Sequence, residues 1–390
     1  MYSGVDGLER TFDQSRQILE DLSFERVRQW KSASSPPRKA MGYFPVYAPA
    51  ELIHAAGMLP VALAGAGDRL DIQHADARFG SFICSIVKTT AEMALTRHLE
   101  CFDGLLFSTI CDSARNLCFV LKRNLPQTGI EFIHLPQNSG SLATVDFLTQ
   151  EYRRLIGRLV EISSRCCLDG AIRASIAVYN QNRALIRELC DLRRHNPEVL
   201  AAWESYVLIR AGGVMPVEEH TPLLREALDQ LQRRTTKRRD SVRVVVEGAF
   251  CEQPPLHLIR LLEEAGCYIV ADDFALGQNW FARDISTEGD PVRALADAYV
   301  NASRYSSVRH DFRQPRWDGL ADKVRSANAD AVIFLIAKFC EPAYFDYVPF
   351  RQKLEELGIP HLLLEFEEKL FTFDRLRTEA ETFVESLVFD

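Results

Sequence analysis

Cys111 and Cys340 stand at matching places in two stretches of similar design. DGLLFSTICD at 103–112 and DAVIFLIAKFCE at 330–341 each run from aspartate through an apolar segment to a cysteine and an acid. An apolar run, a turn and a helix start make the βα unit of a parallel sheet, and Pro342 sits where a helix tolerates proline. In such sheets the loops beyond the carboxyl ends of the strands carry ligands, so both thiols lie where chemistry is done. Cys84 falls in the first turns of a helix expected over 79–98. A thiolate is favoured at a helix N-terminus, because unpaired amides and the helix dipole stabilise negative charge.

Three thiolates around one site suit a soft metal or an iron–sulfur cluster. A [4Fe–4S] cube held by three cysteines leaves one iron for water, substrate or another protein group. Zinc with three cysteines and a histidine is the other reading, with His54 as fourth ligand. Cys101, Cys118, Cys166, Cys167, Cys190 and Cys267 sit within helical or strand patterns and are expected in the core, where cysteine behaves as a small hydrophobe. Cys251 follows a strand end in GAFC and is a spare ligand candidate. The absence of any CxxC pair argues against a zinc ribbon or a ferredoxin-type loop.

Reduction or elimination needs a proton donor or acceptor, and Glu51, Asp112, Glu341 and the pair Asp272-Asp273 are the candidate acids. Asp112 and Glu341 have a second reading as helix N-terminal acids and Asp272 as a turn cap, so Glu51 ranks first. The basic run RRTTKRR at 233–239 suits either the phosphates of an anionic ligand or a solvated helix end. AGAG at 64–67 lacks the third glycine of a dinucleotide fingerprint, and no GxxxxGK[ST] occurs, so no ATP site is expected on this chain.

Positioning such groups takes a two-part scaffold. Gly129-Ile130 and Gly358-Ile359 follow their cysteines at the same offset of 18 residues. LI…AG at 52–57 and LI…AG at 258–266 each precede a further strand, near 60–63 and 268–271. The pattern predicts an α/β protein of two related halves with parallel sheets, their cysteine loops facing across a cleft. An N-terminal helix over 7–30 and a polar linker occupy 1–40; the first α/β domain covers 41–144. A helical connecting segment covers 145–239 and the second α/β domain 240–390, opening on the strand VRVVVE at 242–247.

The 390 residues suffice for two or three domains, and 47% hydrophobic with 26% charged content is ordinary for a globular chain. A net charge of −8 gives no basic face for nucleic acid. No apolar run approaches a membrane span, and the N-terminus has no secretory pattern, so a cytoplasmic location with reduced thiols is expected.

At the cysteines the sequence resembles a known family. YAPAELIHAAG at 47–57, ICSIVK at 83–88, TICD at 109–112 and KFCEP at 338–342 resemble the benzoyl-CoA reductase and 2-hydroxyacyl-CoA dehydratase family, and the similarity runs from about residue 41 to the C-terminus. Within it, FCEQPPL at 250–256 with GCYIVADDF at 266–274 is most similar to the gamma-type subunit of ATP-dependent benzoyl-CoA reductase. The resemblance implies two Rossmann-like (flavodoxin-like) domains and one [4Fe–4S] cluster on Cys84, Cys111 and Cys340. It implies a homologous cluster-bearing partner subunit, an acyl-CoA substrate bound between or beside the clusters, and separate ATP-hydrolysing subunits that deliver low-potential electrons, drawn indirectly from a ferredoxin. The family motifs do not fix the proton donor, so Glu51 rests on its own residue-level argument.

The implied reaction has a physical logic. A thioester carbonyl withdraws electron density from an aromatic ring, so a strong reductant can add one electron; protonation and a second electron then give a cyclic diene. A dry pocket keeps the electron from water. The nearest rival is a 2-hydroxyacyl-CoA dehydratase subunit, in which the electron is recycled after hydroxide leaves. A double-cubane cluster reductase and a zinc-stabilised binding protein are the others.

Overall fold

The computed structural model describes residues 5–274, 276–278, 280–311, 314–367 and 373–389. Two helices, α1 (Val5–Glu20) and α2 (Glu25–Ser32), open the chain where the sequence predicted one over 7–30. The break has a local cause. Asp21 accepts from Ser23 N at 2.8 Å and Glu25 N at 2.7 Å, and Phe24 is left-handed with φ 53°. A short acid side chain thus competes with the helical hydrogen-bond pattern.

The first half then runs β1 (Lys39–Tyr43), α3 (Ala50–Ala55), β2 (Met58–Ala62), α4 (Ser85–Leu95), β3 (Gly104–Ser108), α5 (Asp112–Asn124) and β4 (Gly129–Ile133). The boundary drawn at residue 40 falls inside β1, and the helix expected from 79 begins only at Ser85. Four helices follow: α6 (Thr144–Ser163), α7 (Asp169–His195), α8 (Ala202–Ala211) and α9 (Val217–Leu231). The second half comprises β5 (Val242–Glu247), α10 (Leu256–Glu264), β6 (Cys267–Ala271), α11 (Pro291–Ala302), α12 (Arg316–Ser326), β7 (Ala331–Ala337), α13 (Glu341–Glu356), β8 (His361–Phe366) and α14 (Asp374–Phe389).

Both sheets have four parallel strands, in the orders β2-β1-β3-β4 and β6-β5-β7-β8. The same strand order, reached twice, makes two Rossmann-like halves. In each the chain reverses direction across the sheet between the inner strands, β1 and β3 or β5 and β7, which is the switch point where such sheets bind ligands.

All seven residues of β7 are buried, as expected for a parallel strand covered on both faces. Its alternate side chains enter two different cores. Val332, Phe334 and Ile336 join the apolar cluster that fills the first half, whereas Ile333 and Leu335 join a second cluster with Leu8 and Phe12 of α1 and residues of α8, α9 and α14. The first of these clusters holds residues of both halves, and the middle helices pack on both sheets. Among the described residues no helix is long and apolar enough to cross a membrane.

Candidate functional site: a group of thiols at helix N-termini

Cys84, Cys111 and Cys340 are each the residue that caps a helix N-terminus: α4, α5 and α13 respectively. Cys111 Sγ accepts from Ala114 N at 3.4 Å. Cys340 is preceded by Phe339 in the left-handed region, φ 68°, a conformation that costs a bulky residue energy and turns the chain sharply out of β7. Phe339 meets the exposed ring of Phe82 edge-on at 5.7 Å, so the loop before Cys340 and the loop before Cys84 touch where the halves meet.

The thiols act on one another. Burial, then Glu252, Cys111 and Cys340, hold the Cys84 thiol well above its usual range. Burial pushes Cys340 up to about 12, opposed by the Ala343 N–H and reinforced by Cys111, Glu252 and Asp273. Cys111 is raised by burial, opposed by the amides of Ala114 and Ser113, with Asp112 and Glu341 adding. Cys251 joins this group: burial raises it well above its usual range, and Cys111, Cys340 and Cys84 follow as the next causes. All four thiols are half-buried, unlike Cys101, Cys118 and Cys267, which lie in the core.

The strongest charged neighbours of these thiols are acids and one another, with three helix dipoles pointing positive ends at them. Such a set stays protonated alone and ionises only if a cation or cationic cluster joins it; a coordinated thiol is deprotonated outright. Among the described residues no group of three His, Cys, Asp or Glu side chains is drawn together to hold a single metal ion. One zinc ion gathers its sulfurs to about 2.3 Å from itself, whereas each iron of a cube takes its own thiolate and the sulfurs stand further apart. Half-buried thiols with three helix N-termini directed at them are the kind of donor set that a soft metal or an iron–sulfur cluster takes.

His54 lies apart from the thiols. Its Nδ1 bonds Ser175 Oγ at 2.9 Å and its Nε2 bonds Glu218 Oε1 at 2.8 Å, which removes it from the zinc ligand set the sequence left open. Glu51 is buried in an ion pair with Arg183, whose other Nη donates to Asn180 Oδ1 at 2.8 Å. It ties α3 to α7 and is not among the leading groups acting on the thiols. Asp272 pairs with Arg193, whereas Asp273 accepts from Gly248 N at 2.9 Å and Ala249 N at 3.1 Å and so holds the loop that carries Cys251.

Sequence reasoning missed Glu252, the acid that most affects Cys84. It is buried, its Oε2 accepts from Ile86 N at 3.2 Å, and burial raises it to about 7 against the hydrogen bonds it takes from Ile86 and Ser85. Its signal was adjacency to Cys251 in FCEQPP.

A cavity of about 910 Å³ lies at the carboxyl ends of β5 and β6, behind Asp273. That volume is within the range of ligand pockets. Its six basic side chains, Arg304 and Arg187 among them, are matched in number by six acidic ones. The basic run at 233–239 is partly spent as well, since Arg234 pairs with Glu204 at 2.7 Å.

Fold and site together define an α/β protein of two Rossmann-like halves with thiols at the N-termini of helices from both. The chain belongs to the family described as 2-hydroxyglutaryl-CoA dehydratase, D-component, whose model matches residues 45–387. It is 38% identical over 371 residues to a benzoyl-CoA reductase subunit from Thauera aromatica, covering 95% of this chain and 96% of that one. It is 30% identical to the (R)-phenyllactyl-CoA dehydratase beta subunit of Clostridium sporogenes, over 90% of this chain and 92% of the other. With the beta subunit of (R)-2-hydroxyglutaryl-CoA dehydratase of Acidaminococcus fermentans the identity is 28%, over 90% and 93%. The protein is accordingly an enzyme subunit of the reductase and dehydratase kind.

Proposed function

We propose that this chain is the iron–sulfur subunit of an ATP-dependent benzoyl-CoA reductase, with Cys84, Cys111 and Cys340 as ligands of one [4Fe–4S] cluster. The observation that carries the reading is the meeting of these three helix-capping thiols, from both halves of the chain, with no basic side chain among their leading charged neighbours. The higher identity to a benzoyl-CoA reductase subunit than to the dehydratase subunits favours reduction over dehydration.

When bound, the cluster supplies single low-potential electrons. The chain's own residues set the conditions for that. The N-terminal amides of α4, α5 and α13 direct partial positive charge at the sulfurs and steady the negative charge of a thiolate-ligated group. Phe82 and Phe339, in contact edge-on, join the loop before Cys84 to the loop before Cys340. Burial raises Glu252 and Asp273 to about 7 beside the thiols, which makes them better candidates than Glu51 for exchanging a proton there. Electrons arrive, on this reading, from separate ATP-hydrolysing subunits fed by a ferredoxin, and the acyl-CoA is shared with a homologous cluster-bearing subunit.

Anaerobic co-purification tests the reading. A brown complex with about four irons per chain, a homologous partner and continuous consumption of two electrons per benzoyl-CoA is the expected result. Catalytic rather than stoichiometric electron use with a 2-hydroxyacyl-CoA would make it a dehydratase subunit. A colourless, iron-free complex would overturn the cluster assignment.

A further inference from the structure

We propose that Cys251 is a fourth protein ligand of the same cluster, so that every corner iron takes a cysteine sulfur and no iron on this chain is open to substrate. The inference rests on the reading of Cys84, Cys111 and Cys340 given above and goes beyond it by closing the site.

Three structural facts bring Cys251 to the group. It follows β5, which lies parallel beside β7 in the sheet, so both strands deliver their cysteine loops at the same edge; the pairing runs to Glu247, the last residue of β5, opposite Phe334 of β7. Asp273 then fixes the start of the Cys251 loop by accepting from Gly248 N and Ala249 N. On the other side of Cys251, Glu252 reaches across to the first half and accepts from Ile86 N, two residues beyond Cys84. The loop is thus pinned at one end beside Cys340 and at the other beside Cys84, with Pro254 and Pro255 stiffening the entry to α10. Cys251 packs, partly buried, against the same apolar cluster as the other three thiols.

The arrangement also removes an imbalance. Without Cys251 the first half gives two ligands and the second gives one; with it each half gives two, as suits halves of one strand order. On ligation the Cys251 S–H bond breaks, an S–Fe bond forms and the proton leaves to solvent, with no change in oxidation state. A closed cluster passes electrons and does not polarise substrate, so the iron that engages the thioester belongs to another chain of the complex.

The test uses the complete complex purified anaerobically, as wild type, Cys251→Ser and the core control Cys101→Ala. Iron is counted, electron paramagnetic resonance spectra and midpoint potentials are recorded, and mild ferricyanide oxidation is applied. The expected result is wild type and Cys101→Ala with about four irons per chain that resist oxidation. Cys251→Ser is expected to show a changed spectrum and a shifted potential, and to lose about one iron in four on oxidation. An unchanged spectrum, potential and iron retention in Cys251→Ser would overturn the inference while leaving the three-cysteine reading intact. Wild type without iron would instead sink that reading. Should Cys251→Ser fail to assemble, alkylation of the wild type decides. Cys251 that is protected with iron bound and modified after chelation supports ligation, and equal modification in both states refutes it.

Discussion

Among ten cysteines, chemistry is separated from packing by what each sulfur has for neighbours. Cys118 on α5 and Cys101 are buried in the core, where burial pushes each to about 11. Cys84, Cys111 and Cys340 cap helices and feel one another. Replacing any of these three with serine is expected to lower bound iron at least severalfold, whereas Cys118→Ala should retain it; iron and sulfide counts per chain check both. Glu51 belongs to a different argument at this scale. Its pairing with Arg183 is buried on both sides, and removing one partner of such a pair leaves an uncompensated charge. Glu51→Gln is therefore expected to cost about 3–5 kcal/mol of stability, read from denaturant unfolding, with the iron content of the folded fraction unchanged. Loss of turnover without loss of stability would restore it as a proton donor.

At the scale of elements, the end of β5 is where the sheet is turned into a site. Gly248 has φ +110°, and a Cβ there would meet Leu335 O at 3.1 Å and Ile336 Cγ1 at 3.0 Å on the neighbouring β7. Both the backbone conformation and the close approach require glycine. Gly248→Ala is expected to destabilise the protein by about 1–3 kcal/mol and to loosen the Cys251 loop, seen as a lower melting temperature together with faster iron release to a chelator. The helices α7 and α9 hold a second sensitive contact. His220 is buried, donates from Nε2 to Leu208 O at 2.9 Å and faces Asn182 with Nδ1, and burial lowers it to about 4.

That histidine lies on α9, whose Leu224, Leu228 and Leu231 pack into the core around the second sheet, so its titration bears on the stability of the fold. Its folded-state value lies below the value of about 6.5 in an unfolded chain. Stability from this group is complete above about pH 6.5 and falls as the unfolded chain takes up a proton that the folded one refuses, down to about pH 4. The loss approaches about 3 kcal/mol at the acid end. His220→Gln is expected to flatten the fall in melting temperature between pH 6.5 and 4.5 relative to wild type; identical slopes would refute the assignment.

The sequence by itself determined the periodic and local features. Parallel inner strands are buried on both faces, so β7 was written as an unbroken apolar run, and VRVVVE marked β5 residue for residue. The matched offsets after Cys111 and Cys340 foretold two halves, and Glu-Pro after Cys340 marked a helix start. The break between α1 and α2 was hidden, because it depends on one aspartate side chain taking backbone amides that the apolar pattern does not register. Only the tertiary structure decided which acid accompanies the thiols. Glu252 reaches Ile86 over 166 residues of sequence and Arg183 reaches Glu51 over 132, and contacts between elements so far apart in the chain leave no local signature in it. Spacing told which cysteines end strands, but whether their loops meet depends on how two sheets share a core.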